Sequence, residues 1–274
     1  MIHSRHVNTG FIVVLLLSIF GSCTIAPRIT MNIPANDQAI VNGKIFSTAY
    51  QQKAAEYRGL CFQAYNIARV RVDEFAQMQT QKPKAIMTDI DETILNNSPY
   101  QAHQLLIGKD YDASSWKEWT DKGIADTVPG SVHFFQYAAS RGIAVFYVTN
   151  RNENERAATL KNLQRYNFPD ADNEHLLLST TTSSKEPRRD IIKKNYTIMM
   201  YVGDNANDLS TLFEKKNPND RMKVADDHSM EFGKQFIILP NPVYGDWESS
   251  LYHFNYKLTP AQKDSVIRVS MDTY

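Results

Sequence analysis

Apolar positions along this chain change period several times, and each change marks an expected element. The earliest apolar stretch, Phe11 to Phe20, is a continuous run of about ten residues, well below the roughly 20 that a helix needs to cross a bilayer. From Phe46 the apolar residues Ala49, Tyr50, Tyr57, Leu60, Cys61, Ala64, Tyr65, Ala68, Val72, Phe75 and Ala76 follow a helical spacing. Thr48 with Gln51 three residues on reads as its opening cap. The spacing predicts one long helix to about Gln79, or two with a break near Gly59. Pro83 punctuates, and Ala85 to Thr88 reads as a short buried strand. After a polar and aromatic insert at about 96–127, Pro129-Gly130 opens a helix that stops at Gly142. Further strands are expected at Ile143 to Val148, Leu176 to Leu178, Ile198 to Val202 and Phe236 to Leu239, separated by helical segments. Such βα alternation predicts an α/β fold: a parallel sheet covered by helices on both faces, with ligands beyond the carboxyl ends of its strands.

The N-terminal apolar run ends in Gly21-Ser22-Cys23, small residues directly before a cysteine. Residues 1–23 therefore read as a secretory signal peptide, and Cys23 resembles the acylated cysteine of a bacterial lipobox. Residues 24–44 hold Pro27, Pro34, Asn36, Asp37, Asn42 and Gly43 without a sustained period, which predicts a tether. The domain itself is expected at 45–274, with an N-terminal helical segment at 45–80. If Cys23 is lipidated, Cys61 has no partner, and its place on an apolar helical stripe makes it a small core residue rather than a reactive thiol. His103, His133, His175, His228 and His253 show no metal-ligand spacing, so no zinc site is expected.

Charge narrows the functional classes. The 30 Lys+Arg balance the 30 Asp+Glu, and no basic run is longer than pairs such as Lys193-Lys194 and Lys215-Lys216. A nucleic-acid partner is not expected, because backbone binding needs a basic excess or face. At 274 residues with 42% hydrophobic content, the chain can bury a large core.

Candidate chemistry sits at the strand ends. Asp89 and Asp91 follow the first strand with Ile90 between them, an arrangement costly to bury unless a cation or a catalytic task offsets it. An ordinary surface turn is the plain alternative. A calcium loop would want Gly and Glu where Ile94 and Tyr100 stand. Thr149-Asn150-Arg151 ends a strongly apolar strand, Lys185 lies in a polar loop ahead of a helix, and Gly203-Asp204 with Asp208 follows a third strand.

In that order, D-x-D-x-T, Thr, Lys and G-D-x-x-x-D resemble the four motifs of the haloacid-dehalogenase-like phosphatases. Ala49 to Arg58, Asp89 to Tyr100, Val128-Pro-Gly130, Phe146 to Arg151, Tyr201 to Asn205 and Leu239 to Glu248 are similar to the class C acid phosphatases, the bacterial lipoprotein 5'-nucleotidase type. The resemblance covers essentially the whole chain after the signal peptide. It implies a Rossmann-like core with a smaller, largely helical cap, and a Mg2+-dependent acid phosphatase. Its substrates would be phosphomonoesters such as 5'-nucleotides, nicotinamide mononucleotide and aryl phosphates. Asp89 would be the nucleophile that forms an aspartyl-phosphate and Asp91 the general acid and base. Mg2+ would be held by Asp89, Asp204 and the Asp91 carbonyl, with Asp208 orienting that shell or pairing with Lys185. Thr149, Asn150 and Lys185 would bind the phosphoryl oxygens. Trp119 and Tyr244 would stack on an aromatic leaving group, while Trp116 and Trp247 stand open between core and site. The resemblance also implies a homodimer, and with Cys23 it implies a lipid-anchored place in the bacterial cell envelope, at the outer membrane. The alternatives are a non-catalytic surface lipoprotein, which would have lost a motif residue, and a strict sugar-phosphate phosphatase of the same superfamily.

Overall fold

The computed structural model describes residues 38–274. The expected signal peptide, Cys23 and residues 24–37 of the tether lie outside the described residues. The first elements are α1 (Gln38–Lys53), α2 (Ala55–Gln77), β1 (Lys84–Thr88), β2 (Leu95–Asn96), α3 (Ser98–Leu106), α4 (Ala113–Asp121) and β3 (Asp126–Thr127). There follow α5 (Ser131–Ser140), β4 (Ala144–Asn152), α6 (Arg156–Arg165), β5 (Leu176–Ser179), α7 (Glu186–Asn195) and β6 (Thr197–Gly203). The chain continues through α8 (Ala206–Leu209), α9 (Pro218–Asp227), β7 (Phe236–Ile238), α10 (Asp246–Leu251) and α11 (Pro260–Val269).

Five strands form one sheet in the order β5-β4-β1-β6-β7, and every pairing is parallel. Alternation along the strands sorts their side chains between two layers. Ile86, Val145, Tyr147, Met200 and Val202 join the main core with Tyr65 and Val72 of α2, Phe134 and Phe135 of α5 and Leu163 of α6. Ala85, Met87, Phe146 and Val148 face the other way, onto Ile192 of α7. Helices thus cover both faces, as the alternation of elements predicts. The chain leaves β1 for β4 on one side and later returns to β6 on the other, so the carboxyl ends of β1 and β6 flank the switch point where such sheets bind ligands.

The N-terminal helices differ from the expected pattern. Their break falls at Ala54, which is extended (φ −80°, ψ 130°), while Gly59 lies inside α2 in open space. Tertiary docking accounts for this: α1 packs on α3 and α11, whereas α2 packs on α5 and β7, and two partners in different places require a turn between the helices. Residues 38–44, expected as tether, are the first turns of α1. Thr48 and Gln51 are buried well inside that helix, toward its C-terminal end, rather than capping its start, and Phe46 is 81% exposed. In α2 the spacing holds, with Tyr57, Cys61, Tyr65, Ala68, Val72 and Phe75 all buried.

The aromatic insert is a small helical cap. Its base is closed by an antiparallel pairing of Leu95 with Thr127 and Asn96 with Asp126, and it carries α3 and α4. Asp112 caps α4 by accepting from the Ser114 and Ser115 N–H groups, the usual role of Asp at that position.

Candidate active site

Asp89 follows directly from β1, and its N–H continues the ladder to the Val202 carbonyl at 2.9 Å. Asp204 follows β6, its Oδ1 accepting from the Thr93 hydroxyl (3.0 Å) and its Oδ2 from the Asn241 amide (2.8 Å). Asp208 lies one turn on in α8, where its Oδ2 accepts from the Asn205 N–H (3.1 Å) and caps that helix. Gly203 is required here, since a Cβ would stand 2.3 Å from that of Asp208. The β6 end and the helix it feeds can approach this closely only without a side chain.

Lys185, buried just ahead of α7, donates to Asp89 Oδ1 and to Asp208 Oδ1, the latter at 2.7 Å. Carboxylate oxygens of Asp89, Asp204 and Asp208 all lie within 4.8 Å of one another. Burial, together with the neighbouring carboxylates, raises Asp89 well above its ordinary range despite the Lys185 ammonium. The same causes, burial foremost and then Asp208, push Asp204 up to about 8. One ammonium does not neutralise three crowded carboxylates. A set of hard oxygen donors with surplus negative charge fits a divalent cation of the Mg2+ type.

This crowding has a measurable sign. The folded, metal-free protein holds protons on Asp204 and Asp89 at pH values where the unfolded chain, with Asp near about 3.9, has released them. Their contribution to stability is therefore complete below about pH 4; that of Asp204 is lost as pH rises toward about 8, and that of Asp89 as pH rises through its own raised range. A cation that replaces those protons removes the penalty, so Mg2+ is expected to raise Tm more at pH 8 than at pH 5. Thermal melts with Mg2+ or EDTA at both pH values measure it, and a larger gain at pH 5 would contradict this reading of the cluster.

Asp91 projects into the same cavity. Arg151 donates to it through Nε (3.1 Å to each oxygen) and Nη2 (2.7 Å to Oδ1), and the Asn97 amide donates to Oδ1 at 2.8 Å. Glu92, between the acids and Thr93, is fully buried in the left-handed region at φ 55°, a conformation that bulky residues adopt only when the surroundings enforce it. Its carboxylate accepts from the Asn97 N–H and the Tyr244 hydroxyl, and burial and Asp91 push it up to about 7.

The cavity these groups face holds about 520 Å3, and its walls include Trp116, Tyr111, Tyr244 and Tyr252. Asp89, Asp91, Asp204, Asp208, Lys185, Asn150 and Tyr244 all line it, so seven residues singled out from the sequence come together. Two do not line it. Thr149 is fully buried, its hydroxyl accepting from the Arg151 N–H at 3.2 Å. Trp119 is the clear correction: it is half-buried, packs on the main core and donates its indole N–H to Asn97 Oδ1 at 2.8 Å. Trp116, three residues earlier on α4, is the indole at the cavity, edge-on to Tyr100 and beneath the Arg151 guanidinium. Trp247 is neither core nor wall; it is 46% exposed and donates to the Asn241 and Tyr244 carbonyls.

Sequence reasoning passed over Arg188, Asn97 and Asn241. Arg188 is buried and joins the segment around Thr149 and Asn150 to the loop ahead of α7, donating to the Thr149 carbonyl, to Asn150 Oδ1 (2.9 Å) and to the Ser184 carbonyl (2.9 Å). A basic residue three positions after Lys185, in the first turn of a helix where acids are favoured, was the available signal.

The chain is similar to proteins of known kind. The family model for the HAD superfamily, subfamily IIIB (acid phosphatase), matches residues 28–247. The class C acid phosphatase structure from Bacillus anthracis is 37% identical, with a TM-score of 0.83, covering 86% of this chain and 99% of that one. The same enzyme with tungstate bound gives a TM-score of 0.82 at 37% identity, covering 88% and 99%. Acid phosphatase 1 of Solanum lycopersicum is 29% identical over 128 residues, 44% of this chain and 50% of that protein. A stem 31 kDa glycoprotein of Glycine max is 25% identical over 142 residues, 47% of this chain and 56% of that protein. The chain thus spans about half the length of these curated relatives. Matched by that family model over residues 28–247, and sharing its fold with the bacterial enzyme over 99% of the latter's length, this chain belongs to the acid phosphatases of the HAD superfamily, subfamily IIIB.

Proposed function

We propose that this protein is a Mg2+-dependent phosphomonoesterase that transfers the phosphoryl group to Asp89 and then to water, with a preference for esters of aromatic leaving groups. The observation that carries the reading is the placement of Asp89 at the end of the central strand. It lies against Lys185 and beside Asp204 and Asp208, at one side of a cavity with aromatic walls. Asp89, Asp204 and the Asp91 carbonyl would hold the cation, with Asp208 tied to Lys185. The chemistry a bound cation supplies there is charge neutralisation between an anionic nucleophile and an anionic ester. Lys185 and the Asn150 amide receive the phosphoryl oxygens, with Arg188 fixing Asn150 from behind. Asp91 passes a proton to the departing oxygen and takes one from the water that opens the acyl phosphate.

Trp116 and Tyr244 are the residues we place against the leaving group, with Trp116 in the role expected of Trp119. The cavity suits 5'-nucleotides, nicotinamide mononucleotide and aryl phosphates, because a flat π-surface stacks on each of them. The same proposal puts the enzyme at the cell envelope through acylation of Cys23, on the sequence pattern alone. Assay of the protein across nucleotide, aryl and glycerol phosphates, with and without EDTA, tests the reading. Trp116→Ala is expected to raise KM for nucleotides and aryl phosphates by about 5- to 100-fold, the equivalent of roughly 1–3 kcal/mol of stacking. Glycerol phosphate hydrolysis should change little. Equal losses on aromatic and aliphatic esters would reduce Trp116 to a packing residue.

A further inference from the structure

The geometry points to Asn97 as the residue that positions the Asp91 carboxylate for proton transfer, with Trp119 fixing the orientation of Asn97. This rests on the role proposed above for Asp91. Asn97 occupies the N-cap position of α3, where an Asn side chain ordinarily accepts from the helix N–H groups. Here it makes no capping bond, and Asn96 Oδ1 takes over by accepting from the Ser98 N–H at 3.0 Å. The Asn97 backbone sits near the bridge region (φ −97°, ψ 11°), where helical termini and many active-site residues are found. The side chain is fully buried and is turned to other partners.

Those partners settle which way the amide faces. An indole N–H is a donor only, so the contact from Trp119 Nε1 at 2.8 Å requires the Asn97 oxygen. The NH2 group must then point the opposite way, to Asp91 Oδ1 at 2.8 Å, with a weaker reach to Glu92 at 3.4 Å. The two Asp91 oxygens become unequal as a result. Oδ1 accepts from Asn97 and from Nε and Nη2 of Arg151, whereas Oδ2 accepts from Arg151 Nε alone. Oδ1 is the held oxygen and Oδ2 the working one, free to face the departing ester oxygen. Trp119, half-buried against the core, is anchored well enough to impose this orientation. It acts on the reaction through one hydrogen bond rather than by stacking.

Trp119→Phe keeps the ring packing and removes that bond. The test compares kcat/KM, which reports phosphoryl transfer to the enzyme, for two aromatic monoesters. Benzyl phosphate releases an alkoxide that must be protonated as it leaves; 2,4-dinitrophenyl phosphate releases a phenolate that need not be. Trp119→Phe is expected to lower kcat/KM for benzyl phosphate by about five- to tenfold, the scale of one buried hydrogen bond, and to leave the dinitrophenyl ester within about twofold. Because both rates come from one preparation, their ratio is independent of the fraction of protein that is folded. In an Asn97→Ala background the selective loss should already be present, and adding Trp119→Phe should not deepen it. Equal losses on both esters, a change confined to KM, or an undiminished effect of Trp119→Phe in the Asn97→Ala background would each overturn the proposal. Failure of the wild-type protein to hydrolyse either ester would instead remove the phosphatase reading on which it stands.

Discussion

Asp89→Asn is expected to lower turnover of an aryl phosphate by at least about three orders of magnitude while leaving the fold intact. The substitution keeps the shape of the side chain at the end of β1, and its backbone bond to Val202 is untouched. An amide has no charge with which to attack phosphorus. It also leaves Lys185 with Asp208 as its remaining ion-pair partner. Burial already disfavours the charged carboxylate at this position, so loss of that charge should not cost stability. Steady-state assay of the purified variant, beside its thermal melt, checks both statements. Near-normal turnover would remove Asp89 from the chemistry altogether.

Lys185→Met should harm both activity and stability. The ammonium is 3% exposed and bridges Asp89 and Asp208; removing it strands two buried carboxylates beside a third. Breaking a buried ion pair from one side typically costs about 3–5 kcal/mol. Loss of a preorganised donor to the phosphoryl oxygens should lower kcat/KM by about a hundred- to a thousandfold. The stability loss has a definite pH dependence. Lys185 is the chief influence holding Asp89 down against burial, so without it Asp89 keeps its proton to still higher pH. The gap between wild type and variant should therefore be smaller at pH 5 than at pH 8. Urea unfolding at the two pH values measures that gap, and a gap widest at pH 5 would contradict the assignment of Lys185 as countercharge.

What was legible in the sequence was whatever is local. Each sheet strand is a short apolar run that ends in its own polar cluster, so Asp89, Thr149 and Asp204 could be placed at strand ends, and Lys185 ahead of its helix, without knowing how the strands pair. The alternation of Ile86 and Met87 between two cores follows from the same short-range geometry. Features decided by docking were not legible. Trp116 and Trp119 share one helix three residues apart, and which ring meets the cavity depends on how α4 lies on α6. Ala54 carries no helix-breaking signal; the bend there answers to two different packing partners. Asn97 was passed over, because nothing in its neighbourhood shows that Asp91 and an indole 22 residues away would claim its side chain. Arg188 and Asn241 were missed for the same reason, since their partners come from distant loops.

The central claim is that the phosphoryl group passes through Asp89, and covalent trapping tests it most directly. Acid quench of the enzyme during turnover of a radiolabelled aryl phosphate should leave label on the peptide that contains Asp89. Borohydride reduction of the quenched protein should convert that residue to homoserine, and Asp89→Asn should take up no label. Label on any other residue, or full turnover with no trapped acyl phosphate at all under single-turnover conditions, would contradict the account.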